Sequence, residues 1–252
     1  MSSPIWTPAA LSSETHPFRG RGWRLVEAQH RVSTLKLVDT LAEQALLEQV
    51  LEETKPRLPP ECQGLDYLLS TPFRYAPYPQ GSRFRRAGRT PGVWYGAQTP
   101  ETAVAEMVFY RLLFLAESPA TPFPANSADY TGFAVALAGG MVDLTAPPLS
   151  RDAAEWRHPA DYAACQALAD SARAAGVQVI RYASVRDPGG GCNLAVLTCA
   201  AFAATEPDMR QTWRIRLGRQ GAVALREHPA LGLEFARDAF DDPRLAGMNW
   251  DR

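Results

Sequence analysis

Lysine is almost missing from this 252-residue sequence: Lys36 and Lys55 stand beside 24 arginines. Genome composition explains such a bias as readily as function does. The 27 acidic residues nearly cancel the 26 basic ones, and a net charge of −1 gives no global pull towards nucleic acid or an anionic membrane. Cysteine is scarce too. Cys62, Cys165, Cys192 and Cys199 show no CxxC spacing and no histidine cluster accompanies them, which argues against a zinc site and points to a reducing compartment. No uncharged apolar run reaches the ~18 residues of a membrane span. Met1–Gly20 is polar and lacks the apolar centre of a signal peptide, so a cytoplasmic protein is expected. There is neither a GxGxxG fingerprint nor a Walker motif, so a Rossmann or P-loop site is not expected. His158 and His228 each precede a proline, with no nucleophile-elbow glycines, and nothing resembles a Ser-His-Asp triad.

What remains is an ordinary globular composition, 46% hydrophobic with a mean hydropathy of −0.22, long enough for one large domain or one domain with an extension. Residues 1–20 read as a loose arm. From Trp23 to Lys55 the pattern is helical: Leu35, Val38, Leu41, Ala45, Leu46, Val50 and Leu51 recur every three or four residues, Ser33 and Thr34 are candidate caps, and Pro56 ends the run. That helix is expected to pack on its own domain, with a homodimer contact as the alternative. After a proline-rich connection (56–66), Val93-Trp94-Tyr95 reads as a buried strand. Thr99 caps a helix with Pro100 at its first position and Glu101 in its first turn, running to Leu115. Strands are expected at Phe133–Leu137, then after a break at Gly139-Gly140 a second short one to Leu144, at Val177–Tyr182 and at Leu194–Ala203. A helix spans Asp161–Ala175, and Trp213–Leu217 with Ala222–Arg226 form a hairpin. With no steady βαβ repeat, the fold class is α+β, with mixed or antiparallel sheets and flanking helices.

Between Tyr67 and Pro100 there is no acidic residue, while Arg74, Arg83, Arg85, Arg86 and Arg89 alternate with Tyr75, Tyr78, Phe84, Trp94 and Tyr95. Guanidinium forks hold phosphates and aromatic faces stack on bases, so the stretch suits an anionic aromatic ligand; a solvated basic loop is the alternative. Glu106 lies in the otherwise apolar run Ala103–Phe109, either at the helix rim or facing an internal site. Ser184 follows a strand and precedes a Pro-Gly-Gly-Gly loop, with Asn193 after it; both suit turns as well as a site.

Taken in order, Thr71-Pro-Phe-Arg-Tyr75, Gly81-Ser-Arg-Phe84, Gly92-Val-Trp-Tyr95-Gly-Ala, Glu101-Thr-Ala-Val-Ala-Glu106 and Tyr182-Ala-Ser184-Val-Arg186 with Asn193 resemble the RES domain family over about residues 67–205. The resemblance implies an ADP-ribosyltransferase-like fold in residues 67–252, preceded by an N-terminal arm and helical extension (1–66). It also implies an enzyme that consumes NAD+ by hydrolysis or phosphorolysis without a metal, or that transfers ADP-ribose. Many such proteins act as toxins of type II toxin–antitoxin pairs, usually partnered by an Xre-like helix-turn-helix antitoxin. Carried onto this chain, the catalytic group is Glu106 with Arg83 and Ser184, and Arg74, Tyr75, Tyr95 and Asn193 bind the dinucleotide. Toxin members commonly have Gly-Gly-Arg-Trp-Asn where this chain has Gly81-Ser-Arg-Phe-Arg85. A nucleic-acid-binding module is the alternative from another class; the charge balance disfavours it.

Overall fold

The computed structural model describes residues 6–28, 34, 37–75 and 77–251. In these, helices α1 (Pro8–Ser13), α2 (Leu41–Thr54), α3 (Tyr67–Arg74), α4 (Pro100–Glu117), α5 (Ala153–Trp156), α6 (Ala163–Ala174) and α7 (Pro243–Ala246) surround one sheet. Its strands are β1 (His16–Glu27), β2 (Trp94–Ala97), β3 (Ala128–Asp143), β4 (Val179–Ala183), β5 (Cys192–Val196), β6 (Met209–Gly218), β7 (Gly221–Arg226) and β8 (Leu231–Ala236). The architecture is α+β with a mixed sheet, since β3 and β4 run parallel while the other pairs are antiparallel.

The sheet runs β1-β2-β5-β4-β3-β6-β7-β8, and β1 also pairs with β3, so the first five strands of that order close into a ring. Ring closure rests on the longest ladder in the molecule, from His16↔Met141 to Glu27↔Tyr130. Beyond β3 the sheet is amphipathic: Trp213, Ile215 and Leu217 of β6 face inward while Arg214 and Arg216 between them face water. Against that inner face packs α4, through Val104, Val108, Phe109 and Leu112, all fully buried. A second core joins Leu168 and Ala172 of α6 to Phe84, Ile180 and Tyr182.

The N-terminal fifth departs most from the sequence reading. The expected loose arm contains α1 and the first part of β1, and Trp23–Glu27, expected to begin a helix, ends that strand, because a full row of β3 partners is available to it. The helix itself starts at Leu41, where Thr40 and Glu43 form a reciprocal capping box. The expected positions Ser33 and Leu35 lie outside the described residues. No residue of α2 is buried, and Leu41 and Leu46 are 84% and 61% exposed, so the expected packing of this helix on its own domain is not seen. Gly139-Gly140, read as a break, lies inside the continuous strand β3, where the Gln178 side chain accepts from Gly140 N. Cys62 and Cys199 are joined by a disulfide, with Cα atoms 5.6 Å apart, whereas the cysteine usage had pointed to a reducing compartment. No described helix is long and apolar enough to cross a membrane.

Candidate active site

The capping expected for α4 is present. The Thr99 side chain accepts from Thr102 N at 3.2 Å, Pro100 opens the helix and Glu101 lies in its first turn. Glu106 therefore sits in the second turn of a helix whose neighbouring positions Ala105, Val108 and Phe109 are buried against the sheet. It faces a cleft of about 530 Å³. The cleft floor is laid by one row of cross-strand partners: Trp23 of β1 pairs with Ala97 of β2, Ala97 with Asn193 of β5, and Asn193 with Tyr182 of β4. All four line the cleft. Tyr95, two residues before Ala97, shares that face and lines it too.

Two short hydrogen bonds converge on one oxygen of Glu106. Ser184 Oγ donates to Oε1 at 2.6 Å and Asn193 Nδ2 donates to the same atom at 2.6 Å. Oε2 has no partner among the described residues and is left to the cleft. Burial pushes the Glu106 carboxyl above the ordinary range; the two donors and the Arg186 and Arg83 guanidiniums oppose that shift without cancelling it. Ser184 is itself held from behind, because its Oγ accepts from Arg186 N at 3.1 Å and Asp187 N at 3.0 Å. With those contacts made, its hydroxyl is fully engaged, its proton given to Glu106. The loop after Ser184 is tied to α4 by Thr102 Oγ1 donating to Asp187 Oδ2 at 2.8 Å. Only glycine fits its turn: Gly190 has φ +74°, and a Cβ on Gly191 would stand 2.0 Å from Thr102 Oγ1.

The remaining candidates separate into two groups. Arg83 lines the cleft with its guanidinium 4.7 Å from the Tyr162 ring centre, and its Nη1 donates to Trp156 O at 2.6 Å. The Tyr95 hydroxyl accepts from Phe84 N at 3.0 Å and lies 2.9 Å from Ser82 Oγ, so the phenol pins the loop that carries Arg83. Asn193 is 5% exposed and its Oδ1 is buried without a partner among the described residues, an acceptor left over in the cleft wall. Arg74 and Tyr75 are not brought to the cleft. Arg74 pairs with Glu52 of α2 at 2.7 Å and donates through Nε to Pro56 O at 2.6 Å, contacts that hold it outside the cleft lining.

The cleft holds cations the sequence reading did not single out: Arg24, Arg186 and Arg244 join Arg83, four guanidiniums against the one carboxylate of Glu106 in the lining. Arg24 has no carboxylate partner among the described residues, and its flat face lies 5.9 Å from the Trp94 ring centre. The local signal for Arg24 was a lone charge in Gly22-Trp-Arg-Leu-Val26, legible only once that run is known to be a strand. Nothing local marks Arg244. Tyr110, Tyr162 and Tyr182 complete an aromatic wall, and burial raises the Tyr182 hydroxyl well above its ordinary pKa, so it stays a neutral donor. The arrangement can hold an anionic, aromatic ligand with a carboxylate beside a reacting centre that becomes positive.

A family model described as RES domain matches residues 57–218. No curated protein matches the chain. Among solved structures, a chain of the M. tuberculosis MbcT-MbcA toxin-antitoxin complex is similar at 15% identity and a TM-score of 0.46, covering 81% of this chain and 89% of that one.

Proposed function

This chain belongs to the RES domain family, and on that premise we propose that its cleft cleaves the nicotinamide–ribose bond of NAD+, with the protein serving as the toxin half of a toxin–antitoxin pair. The observation that carries the reading is the single half-buried carboxylate with a free oxygen in a cleft otherwise lined by guanidiniums and aromatic rings. NAD+ brings two phosphates and two flat bases to such a lining. Its nicotinamide is cationic before it leaves, so no strong general acid is needed. As the bond breaks, positive charge passes to the ribose, as in glycoside hydrolysis. Glu106 Oε2 is then the group that stabilises the oxocarbenium or orients the incoming nucleophile, while Ser184 and Asn193 fix the carboxylate through Oε1. Fixing matters because a preorganised charge does its work without reorganising during the reaction. Arg24 and Arg83 meet the phosphates, and Tyr95 packs on the nicotinamide or ribose.

Nicotinamide release from NAD+ by the purified chain, with and without inorganic phosphate, tests the enzyme reading. Release stimulated by phosphate identifies a phosphorylase, phosphate-independent release a hydrolase, and ADP-ribose accumulating on protein a transferase. No release in either buffer from folded protein refutes the reading. The toxin role rests on the family, and the partner that goes with it is an Xre-like antitoxin that plugs the cleft. Induced expression should arrest growth, and equal growth with wild type and E106Q would refute it.

A further inference from the structure

The cleft is completed by a segment beyond the family match. Residues 237–251 follow strand β8, and four of them, Phe240, Asp242, Leu245 and Met248, are buried. Phe240 meets Phe109 of α4 edge-on at 5.7 Å and stacks on Phe235 at 5.6 Å, and Leu245 and Met248 are buried in the same cluster. Asp242 is 5% exposed and serves two guanidiniums at once. Arg186 Nη1 donates to Oδ2, and Arg244 grips the carboxylate through Nε to Oδ1 at 2.9 Å and Nη2 to Oδ2 at 2.9 Å. Both guanidiniums lie over the Phe109 ring, at 4.2 Å for Arg186 and 5.6 Å for Arg244.

One carboxylate between two guanidiniums leaves a positive charge uncompensated, and the geometry decides where it points. The Arg186 side chain is 2% exposed and also donates to Pro159 O, so it is enclosed. The Arg244 side chain is 33% exposed and lines the cleft, and Asp242 uses only its Nε and Nη2. Arg244 therefore presents its Nη1 edge on a scaffold that already holds the rest of the side chain still, which lowers the ordering cost of gripping an anion. The same Asp242 restrains Arg186, whose backbone N–H holds Ser184 Oγ and through it Glu106.

Resting on the NAD+ reading above, we propose that Arg244 is a substrate-binding residue for the diphosphate of the dinucleotide and that Asp242 is a positioning residue for both Arg244 and Arg186. The active site thus includes the C-terminal segment, in which Asp242 lies 56 residues along the chain from Arg186. The test uses the full chain as wild type, R244A, R244K and D242N, with two separate readouts. Binding of ADP-ribose and of adenosine is measured by calorimetry, and kcat and KM for NAD+ by nicotinamide release. R244A should weaken ADP-ribose by about tenfold or more with adenosine affinity the same, and raise KM more than it lowers kcat; R244K should recover part of both. D242N should lower kcat, and its melting temperature separates this from unfolding. Equal ADP-ribose affinity in wild type and R244A, parallel loss of ADP-ribose and adenosine binding, or no ADP-ribose binding by wild type overturns the proposal. Absence of nicotinamide release with ADP-ribose binding still dependent on Arg244 refutes the NAD+-cleaving reading alone and leaves the diphosphate site standing.

Discussion

Replacing Glu106 by glutamine removes a charge while keeping the geometry. The amide oxygen of the new side chain can still accept from Ser184 Oγ and Asn193 Nδ2, the two donors that meet Oε1 at 2.6 Å. What E106Q loses is the negative charge beside the ribose. A carboxylate about 4–6 Å from a developing positive charge, at the effective dielectric of about 20 suited to such sites, contributes about 3–4 kcal/mol. At ~1.4 kcal/mol per tenfold, kcat should fall on the order of 10²–10³ while NAD+ binding changes little. Stability should move the other way. Burial raises the Glu106 pKa in the folded state, so this group favours folding only below its unfolded pKa, and that contribution is lost as pH rises through the folded value. At neutral pH the ionised carboxylate is a cost, and E106Q should melt at the same temperature as wild type or higher, the gap closing as pH falls. The wild-type kcat should decline on the acid side through a pKa above the ordinary ~4.3 of glutamate, and E106Q should lack that limb. Single-turnover nicotinamide release and calorimetric melting, each followed from mildly acidic to mildly alkaline pH, measure both effects. An E106Q enzyme with turnover close to that of wild type, or one melting several degrees lower at neutral pH, refutes the reasoning.

Arg24 and Arg74 give a paired contrast: R24A should weaken NAD+ binding about tenfold, whereas R74A, whose guanidinium is held by Glu52 and Pro56 O outside the cleft, should change kcat/KM less than about threefold. Loss in both variants alike would show that the cleft has been misplaced. Y95F leaves Phe84 N–H without its acceptor at a cost of about 1–3 kcal/mol, a fall of several degrees in melting temperature; an unchanged melting curve would contradict the role given to that phenol. The Cys62–Cys199 bridge closes a separation of 137 residues, so the C62S/C199S double variant should lose up to about 5 kcal/mol on the chain-entropy account. Thiol titration of the unreduced, denatured protein should find only Cys165 and Cys192 free; four reactive thiols would refute the bridge.

Local chemistry was legible without the fold. The Thr99-Pro100-Glu101 start of α4 is a capping pattern that acts within one turn, and it set Glu106 one turn further along in an apolar run. The β6–β7 hairpin and the helix before Gly176 were legible for the same reason, since alternation, helical periodicity and a positive-φ glycine act over a few residues. The motif around Ser184 and Asn193 marked polar residues, but which atom each would meet depends on a register. Trp23, Ala97, Asn193 and Tyr182 come from four distant strands and become one floor only when β1, β2, β5 and β4 pair as they do. The same distance hid Arg24, because Trp23–Glu27 reads equally as the start of a helix until β3 supplies its partners. It also hid the Cys62–Cys199 bridge. Arg74 misled in the opposite direction: its motif is local, but an ion pair with α2 turns it from the cleft. Composition and short-range pattern therefore determined the fold class and the helix carrying Glu106, and gave the expectation of an anionic aromatic ligand. Strand pairing across the chain decided which arginines line the cleft, because a guanidinium's partner is chosen by proximity in space and by burial.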